Sequence, residues 1–225
     1  MRRSSSADEP RAGRRRDRAL YVETLIDAPI DQIWRLTQDS AEHPRWDARF
    51  SAIIPTRARP DGAQEFRYEL DLKLHTIRGT GVSLGERRAA GGQRTSALQF
   101  DTDDRLSPLG KGRGYWRYVP TDAGVRFITG YDYEPGWGAV GRILDPIITR
   151  RFVWWLTAYS FDRLRIWAET GTPPERLTWW RGLLPGKRPR ARASRCRSAP
   201  ARRSRTGVMG EAPATLAQLD REGEQ

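Results

Sequence analysis

The chain of 225 residues has little cysteine or histidine: one of the first, Cys196, and two of the second, His43 and His75. A lone thiol excludes an intramolecular disulfide and a cysteine-based zinc cage, and the two histidines stand far apart, outside any recognised ligand spacing. No cofactor or metal is expected, and a reducing, cytoplasmic setting fits this usage. Long apolar runs are also missing. The longest strongly apolar stretch, residues 152–156, is far too short to span a bilayer, and none precedes Ala19, so a secretory signal is not expected. The expectation is a soluble protein, peripheral to a membrane at most.

Acidic residues are few beside basic ones, 28 against 40, a formal charge of +12. Such an excess points first to nucleic acid or a membrane surface. Its distribution removes that reading from most of the chain. Residues 1–18 hold seven basic and three acidic residues, 173–206 hold eleven and one, and 207–225 hold one and four; residues 19–172 are left with 21 and 20. That near-neutral stretch is one domain's worth, long enough to bury roughly two thirds of its unfolded surface.

Residues 20–26 are rich in β-branched and aromatic side chains and read as a strand. After Asp27-Ala28-Pro29, the residues Ile30, Ile33, Trp34 and Thr37 recur at helical spacing, so residues 30–38 read as a short helix, and a second turn covers 40–45. The period then changes to two. Phe66, Tyr68, Leu70, Leu72 and Leu74 alternate with Arg67, Glu69, Asp71 and Lys73, one face buried and one wet. Further strand-like runs at 77–86, 94–100, 114–119 and 125–133 are separated by turn residues, which implies an antiparallel meander. From Asp145, a credible N-cap with Pro146 behind it, a helix runs to about Glu169 before Gly171 and Pro173-Pro174. Its expected inner half carries Ile148, Phe152, Val153, Trp155, Leu156, Tyr159, Ser160, Leu164, Ile166 and Trp167. Arg150, Arg151, Asp162, Arg165 and Glu169 are expected to face out.

The stretch Val22-Glu23-Thr24-Leu25-Ile26-Asp27-Ala28-Pro29-Ile30-Asp31-Gln32-Ile33-Trp34, followed by His43-Pro44-Arg45-Trp46-Asp47-Ala48-Arg49-Phe50, resembles the opening of the polyketide cyclase/dehydrase and START-related helix-grip superfamily (SRPBCC). The resemblance covers about residues 20–170. It implies an α+β fold in which a curved antiparallel sheet grips a long C-terminal helix, with two short helices after the first strand, around a cavity for a hydrophobic ligand. Four regions are expected: a disordered basic arm (1–18), the helix-grip ligand-binding domain (19–170), an aromatic extension (171–186) and a disordered Arg-rich tail (187–225).

Other motifs resolve to plainer readings. Gly136-x-Gly138-x-x-Gly141 matches a dinucleotide fingerprint, but no parallel strand with an acidic end follows it, so a hinge between the last strand and the helix is the better reading. Gly110-x-Gly112-x-Gly114 reads as a turn at the start of a strand. His75 reads as a solvated histidine at a strand end, and Asp101, Asp103 and Asp104 lack the glycine and distal glutamate of a calcium loop. No nucleophile elbow or Ser/His/Asp order is present, and no catalytic residue is assigned.

Aromatic side chains with polar tips are the richest signal for a pocket. Tyr68, Trp116, Tyr118, Phe127, Tyr131 and Tyr133 from the sheet, with Trp46, Phe152, Trp155 and Tyr159 from the helices, are expected around the ligand. Arg163 lies on the apolar half of the long helix, where an unpaired charge is costly. It either meets a strand carboxylate or snorkels out, or it holds an anionic group of the ligand. The expected partner is a small hydrophobic molecule, lipid, quinone-like or polyketide-like, taken up by a carrier or sensor; a cyclase, aromatase or dehydratase using the same cavity is the alternative. Trp179 and Trp180, followed by Lys187, Arg188, Arg190, Arg192, Arg195 and Arg197, resemble an interfacial anchor, each basic residue contributing about 1 kcal/mol beside anionic lipid. Alternatively the two indoles pack back and the arginines form a solvated tail. No specific nucleic-acid partner is expected.

Overall fold

The computed structural model describes residues 19–86, 89–176, 189–201 and 207–222. Strand β1 (Leu20–Ile26) is followed by α1 (Ile30–Gln38) and the single turn α2 (His43–Trp46). Six strands then run in succession: β2 (Ala52–Ala58), β3 (Gln64–Asp71), β4 (Thr76–Glu86), β5 (Arg94–Asp101), β6 (Leu109–Thr121) and β7 (Gly124–Pro135). All neighbours pair antiparallel in the order β1-β7-β6-β5-β4-β3-β2. Across this sheet lies α4 (Arg150–Thr170), reached through α3 (Gly138–Leu144) and a π turn at Asp145–Thr149. The fold class is therefore the expected one, a helix-grip α+β domain.

Local chemistry accounts for where the elements stop. The alternation of β3 ends at Asp71, whose Oδ1 accepts the Lys73 N–H while Leu72 N–H reaches the His75 carbonyl. Lys73 takes a positive φ, so Leu72 and Leu74 leave the sheet face and stand exposed, contrary to the pattern expected of them. Strand β2, whose register slips between Pro55 and Arg57, carries no clean alternation because it is the exposed edge of the sheet, where Pro is tolerated. Gly110, Gly112 and Gly114 lie within β6, not in a turn. At the end of α4, Gly171 takes a left-handed cap and its N–H bonds to the Trp167 carbonyl.

The start of the long helix differs from expectation. Asp145 is no open N-cap: it is buried and accepts a hydrogen bond from the Tyr133 hydroxyl at 2.6 Å. Helical structure begins at Gly138, and Pro146, which has no N–H to give, falls in the turn that widens to a π helix. The buried face keeps Val153, Ser160, Leu164, Ile166 and Trp167 of the expected side chains and departs from expectation at its start and at Asp162. Phe161 and Asp162 are fully buried, whereas Ile148, Phe152 and Trp155 are exposed. The core behind α4 joins Val22, Ile26, Ile33, Trp46, Phe127, Phe161 and Leu164.

Residues beyond 187, expected to be disordered, account for the burial of Asp162. Its carboxylate accepts Arg165 Nε at 2.7 Å, the Arg192 backbone N–H at 2.7 Å and Arg195 at 2.9 Å. Ala193 and Cys196 sink against α4, and Arg197 exchanges two backbone hydrogen bonds with Glu23, covering part of the free edge of β1. Burial pushes the Cys196 thiol up to about 12, so it is a structural side chain rather than a reactive one. Further along, α5 (Ala214–Glu222) lays Leu216 and Leu219 on the outer face of the sheet against Ala63 and Ala97. These apolar side chains, too sparse to show a period, offset the ordering entropy that the Arg-rich composition implied was unrecoverable. Leu219→Ala is expected to cost about 2–5 kcal/mol in thermal or denaturant unfolding, as for a packed leucine; a solvated tail would give no change. The arm at 1–18 and the Trp179-Trp180 segment lie outside the described residues.

Candidate functional site: a cavity beneath the long helix

Between the concave face of the sheet and the first half of α4 lies a cavity of about 230 Å³. Its sheet wall is opened by a particular cross-strand pairing. Tyr68 lies opposite Gly79, Phe66 opposite Gly81 and Phe100 opposite Gly112. Each ring lies flat over its glycine: a Cβ at those three positions would sit 2.2 to 2.4 Å from the ring. The aromatic side chains therefore press against the sheet instead of filling the interior. Phe50, Ile53, Leu70, Ile77, Leu98, Trp116, Val153 and Leu156 complete a mostly apolar lining.

Two polar groups of residues interrupt it. In the first, Arg49 clasps Asp47 through Nε at 2.8 Å and Nη2 at 2.6 Å, and His43 Nε2 meets Asp47 Oδ2 at 3.1 Å. The remaining Arg49 nitrogen, Nη1, bonds Thr157 Oγ1, which also meets the Tyr131 hydroxyl at 2.9 Å. Asp47 is fully buried. Burial alone would raise its carboxyl, but the Arg49 charge and the bonds from Arg49 and His43 outweigh that and hold it well below the usual carboxylate range. Burial lowers His43 beneath its ordinary value despite Asp47, so the ring is neutral at neutral pH. With Asp47 ionised, Nε2 carries the proton and donates it, which leaves Nδ1 as an acceptor. The His43 ring lies flat on Trp46 at 4.9 Å and edge-on to Trp116. One positive and one negative charge thus cancel beneath the cavity. In the second group, the Tyr118 hydroxyl bonds Thr37 at 2.6 Å and Gln38 at 3.0 Å, with Ser96 reaching the Gln38 amide oxygen.

Of the eleven side chains expected around a ligand, Tyr68, Trp116, Tyr131 and Phe152 line the cavity. Trp46, Tyr118 and Phe127 are core beside it: Trp46 donates to the Leu36 carbonyl, and Phe127 stacks on Phe161 at 4.4 Å. Tyr133 is bound to Asp145. Trp155 stacks between Tyr159 at 5.5 Å and Phe152 at 6.1 Å and is half exposed. Arg163 neither meets a strand carboxylate nor borders the cavity. It donates to the Arg45 backbone carbonyl at 2.7 Å beside the Tyr159 ring, a cation set at the C-terminal end of α2. His43, Arg49 and Phe50 were not among the expected residues, although they flank Trp46 closely; a single helical turn and the short loop after it offer no period to reveal which way their side chains turn.

Among the described residues no cluster of three or more His, Cys, Asp or Glu side chains is arranged to hold a metal ion. His75 pairs with Asp104 at 2.8 Å, half-exposed at the start of β4. The Gly136 to Gly141 segment is a hinge in its geometry: Trp137 and Gly138 both take positive φ, and a Cβ at Gly141 would strike the Gly136 carbonyl.

Fold and cavity together define a helix-grip domain built around a small, mostly apolar chamber. No family model matches the chain. The chain is 36% identical over 164 residues to "Uncharacterized membrane protein YndG" of Bacillus subtilis (strain 168), a match that takes in 72% of this chain. The chain spans about three fifths of the length of that relative, 61%. Among solved structures, it is similar to a STAR-related lipid transfer protein from Xanthomonas axonopodis at 18% identity and a TM-score of 0.49, covering 65% of this chain and 83% of that one. It is also similar to the Zhui aromatase/cyclase from Streptomyces sp. R1128 at 14% identity and a TM-score of 0.45, covering 68% and 99%. At such identities and scores these likenesses are descriptive, and the fold assignment rests on the strand order and helix placement above.

Proposed function

We propose that this protein binds one small, uncharged hydrophobic molecule in the cavity, as a carrier or sensor. A single observation carries the reading: an apolar chamber whose only charged lining residue, among those described, is Arg49, already neutralised by Asp47. A ligand carboxylate would have to compete with Asp47 for that guanidinium, at the cost of leaving a buried charge unpaired. A neutral lipid, quinone-like or polyketide-like compound meets no such penalty, and the hydroxyls and His43 Nδ1 can orient one polar end. The volume, near the lower limit of about 300 Å³ for small-molecule sites, suits a compact molecule better than a two-chain lipid. Native mass spectrometry of the purified chain is expected to reveal a bound neutral species released on denaturation. A chain that carries nothing and takes up nothing from a panel of lipids and aromatic metabolites contradicts the reading.

The second reading, a cyclase, aromatase or dehydratase, is favoured by one contact, His43 to Asp47 at 3.1 Å. It places an oriented, neutral imidazole at an apolar wall, the arrangement a general base requires. A His43→Phe variant that binds the same ligand and leaves it chemically unaltered, as the parent chain does, removes the enzyme reading.

No helix among the described residues is long and apolar enough to cross a membrane. The name of the Bacillus relative describes a membrane protein, which supports a peripheral contact with membranes as part of the proposal.

A further inference from the structure

Seven large side chains of the segment from Trp137 to Trp155 are exposed. Val140, Ile143, Ile147, Ile148, Phe152 and Trp155 are 61%, 69%, 60%, 58%, 54% and 47% exposed, and Trp137 is 47% exposed. They form two adjoining rows: Val140, Ile143 and Ile147 through α3 into the π turn, then Ile148 near the end of that turn with Phe152 and Trp155 in the first turns of α4. Contiguous apolar surface of this extent is uncommon on a protein that stays in water.

The exposed charges within the ridge have one sign. Between residues 137 and 155 stand Arg142, Arg150 and Arg151, and the one carboxylate, Asp145, is buried and bonded to Tyr133. Exposed carboxylates at this end of the sheet, Asp103 and Glu134, belong to neighbouring elements, so the basic character is confined to the helical ridge itself. An apolar row flanked by arginines is the side-chain set of a helix lying at the boundary between acyl chains and headgroups. Phe152 also borders the cavity, so the ridge abuts the chamber at that residue.

We propose that the α3–α4 ridge is the surface by which this protein docks on an anionic lipid bilayer, its isoleucines, Phe152 and Trp155 entering the leaflet and its arginines meeting the headgroups. The proposal names the surface for the peripheral contact above and stands whether or not the cavity holds a ligand.

Sedimentation of the full chain with phosphatidylcholine vesicles, and with vesicles of equal parts phosphatidylcholine and phosphatidylglycerol, tests it. The expected result is binding to the mixed vesicles. Joint replacement Ile143→Ser and Ile147→Ser, at two positions that touch neither cavity nor core, should lower that partitioning by about tenfold or more. Arg142→Glu with Arg151→Glu should reduce it to the level of phosphatidylcholine alone. Trp179→Ser with Trp180→Ser should leave it within about twofold, since the proposed anchor is the ridge. Circular dichroism on each variant confirms that the fold is retained. Absence of binding to either vesicle, full binding by the isoleucine pair variant, or loss only with the Trp179 and Trp180 replacements overturns the proposal. So does a dimer of the parent chain that the isoleucine replacements dissociate, since a second copy would then be the occupant. None of these outcomes bears on the neutral ligand, which native mass spectrometry reads separately.

Discussion

Asp47→Ala is expected to be the most damaging single substitution in the cavity wall, lowering stability by about 3–5 kcal/mol. The carboxylate is fully buried and accepts both arms of the Arg49 guanidinium, the Arg49 backbone N–H and the His43 ring. Its removal leaves a guanidinium desolvated and without its counter-charge. For a chain of this size the melting temperature should fall by roughly 10 °C. The pH dependence has a definite sign. His43 is depressed in the fold, so below about 6.5 the unfolded chain takes up a proton the folded one resists, and stability declines as pH falls. Asp47 is held far below its unfolded value of about 3.9, so a second decline begins there and continues as pH drops. Alanine at 47 abolishes the acid-side step. Urea unfolding from neutral to acid pH, on parent and variant, is therefore expected to show a stability gap that is full above about pH 5 and narrows below 4. A constant gap would mean that Asp47 contributes nothing as a carboxylate.

Leu98→Trp is expected to have the largest effect on ligand binding. Leu98 lies on β5 with its side chain toward the cavity, facing the region between Trp116 and the rings laid over the glycines. An indole there occupies space that a compact ligand needs, and a chamber of about 230 Å³ has little to spare. Affinity should fall by about a hundredfold or more. Overpacking costs about 1–3 kcal/mol, a range the fold should tolerate, whereas Leu98→Met preserves volume and should bind as the parent does. Equal binding by the tryptophan variant would place the ligand elsewhere.

Much of the fold was legible because its signals are periodic. Phe66, Tyr68 and Leu70 share a face by alternation, and that face is the cavity wall. The same alternation carried two residues too far: Leu72 and Leu74 obey the period, but the Asp71 to Lys73 turn takes them out of the sheet. Asp162 shows the converse. A carboxylate on a helix reads as outward-facing, and only residues 30 and 33 positions later, Arg192 and Arg195, reverse that by folding over it. Aromatic content located the chamber but overfilled it. Trp46, Tyr118 and Phe127 have the right chemistry and the wrong depth, and nothing in their spacing separates core from lining. Arg49 was illegible for a different reason: its meaning lies in a bidentate clasp on Asp47, two residues away in a loop without period. Phe152 and Trp155 were placed inside by the helical wheel, which assigns one face to the whole helix; both stand exposed in the first turns of α4, although Phe152 still borders the cavity.

The central claim, that the chamber beneath α4 is the ligand site, is tested most directly by methyl spectra of the isoleucine-labelled chain titrated with the neutral hydrophobic compound recovered from it. Ile53 and Ile77 line the chamber, Ile26 and Ile33 are sealed in the core, and Ile143, Ile147 and Ile148 stand on the outer ridge. Saturable shifts at Ile53 and Ile77, with Ile26, Ile33 and the ridge unchanged, are the expected result. Shifts confined to Ile143, Ile147 and Ile148, or none at Ile53 and Ile77 at saturation, would contradict it.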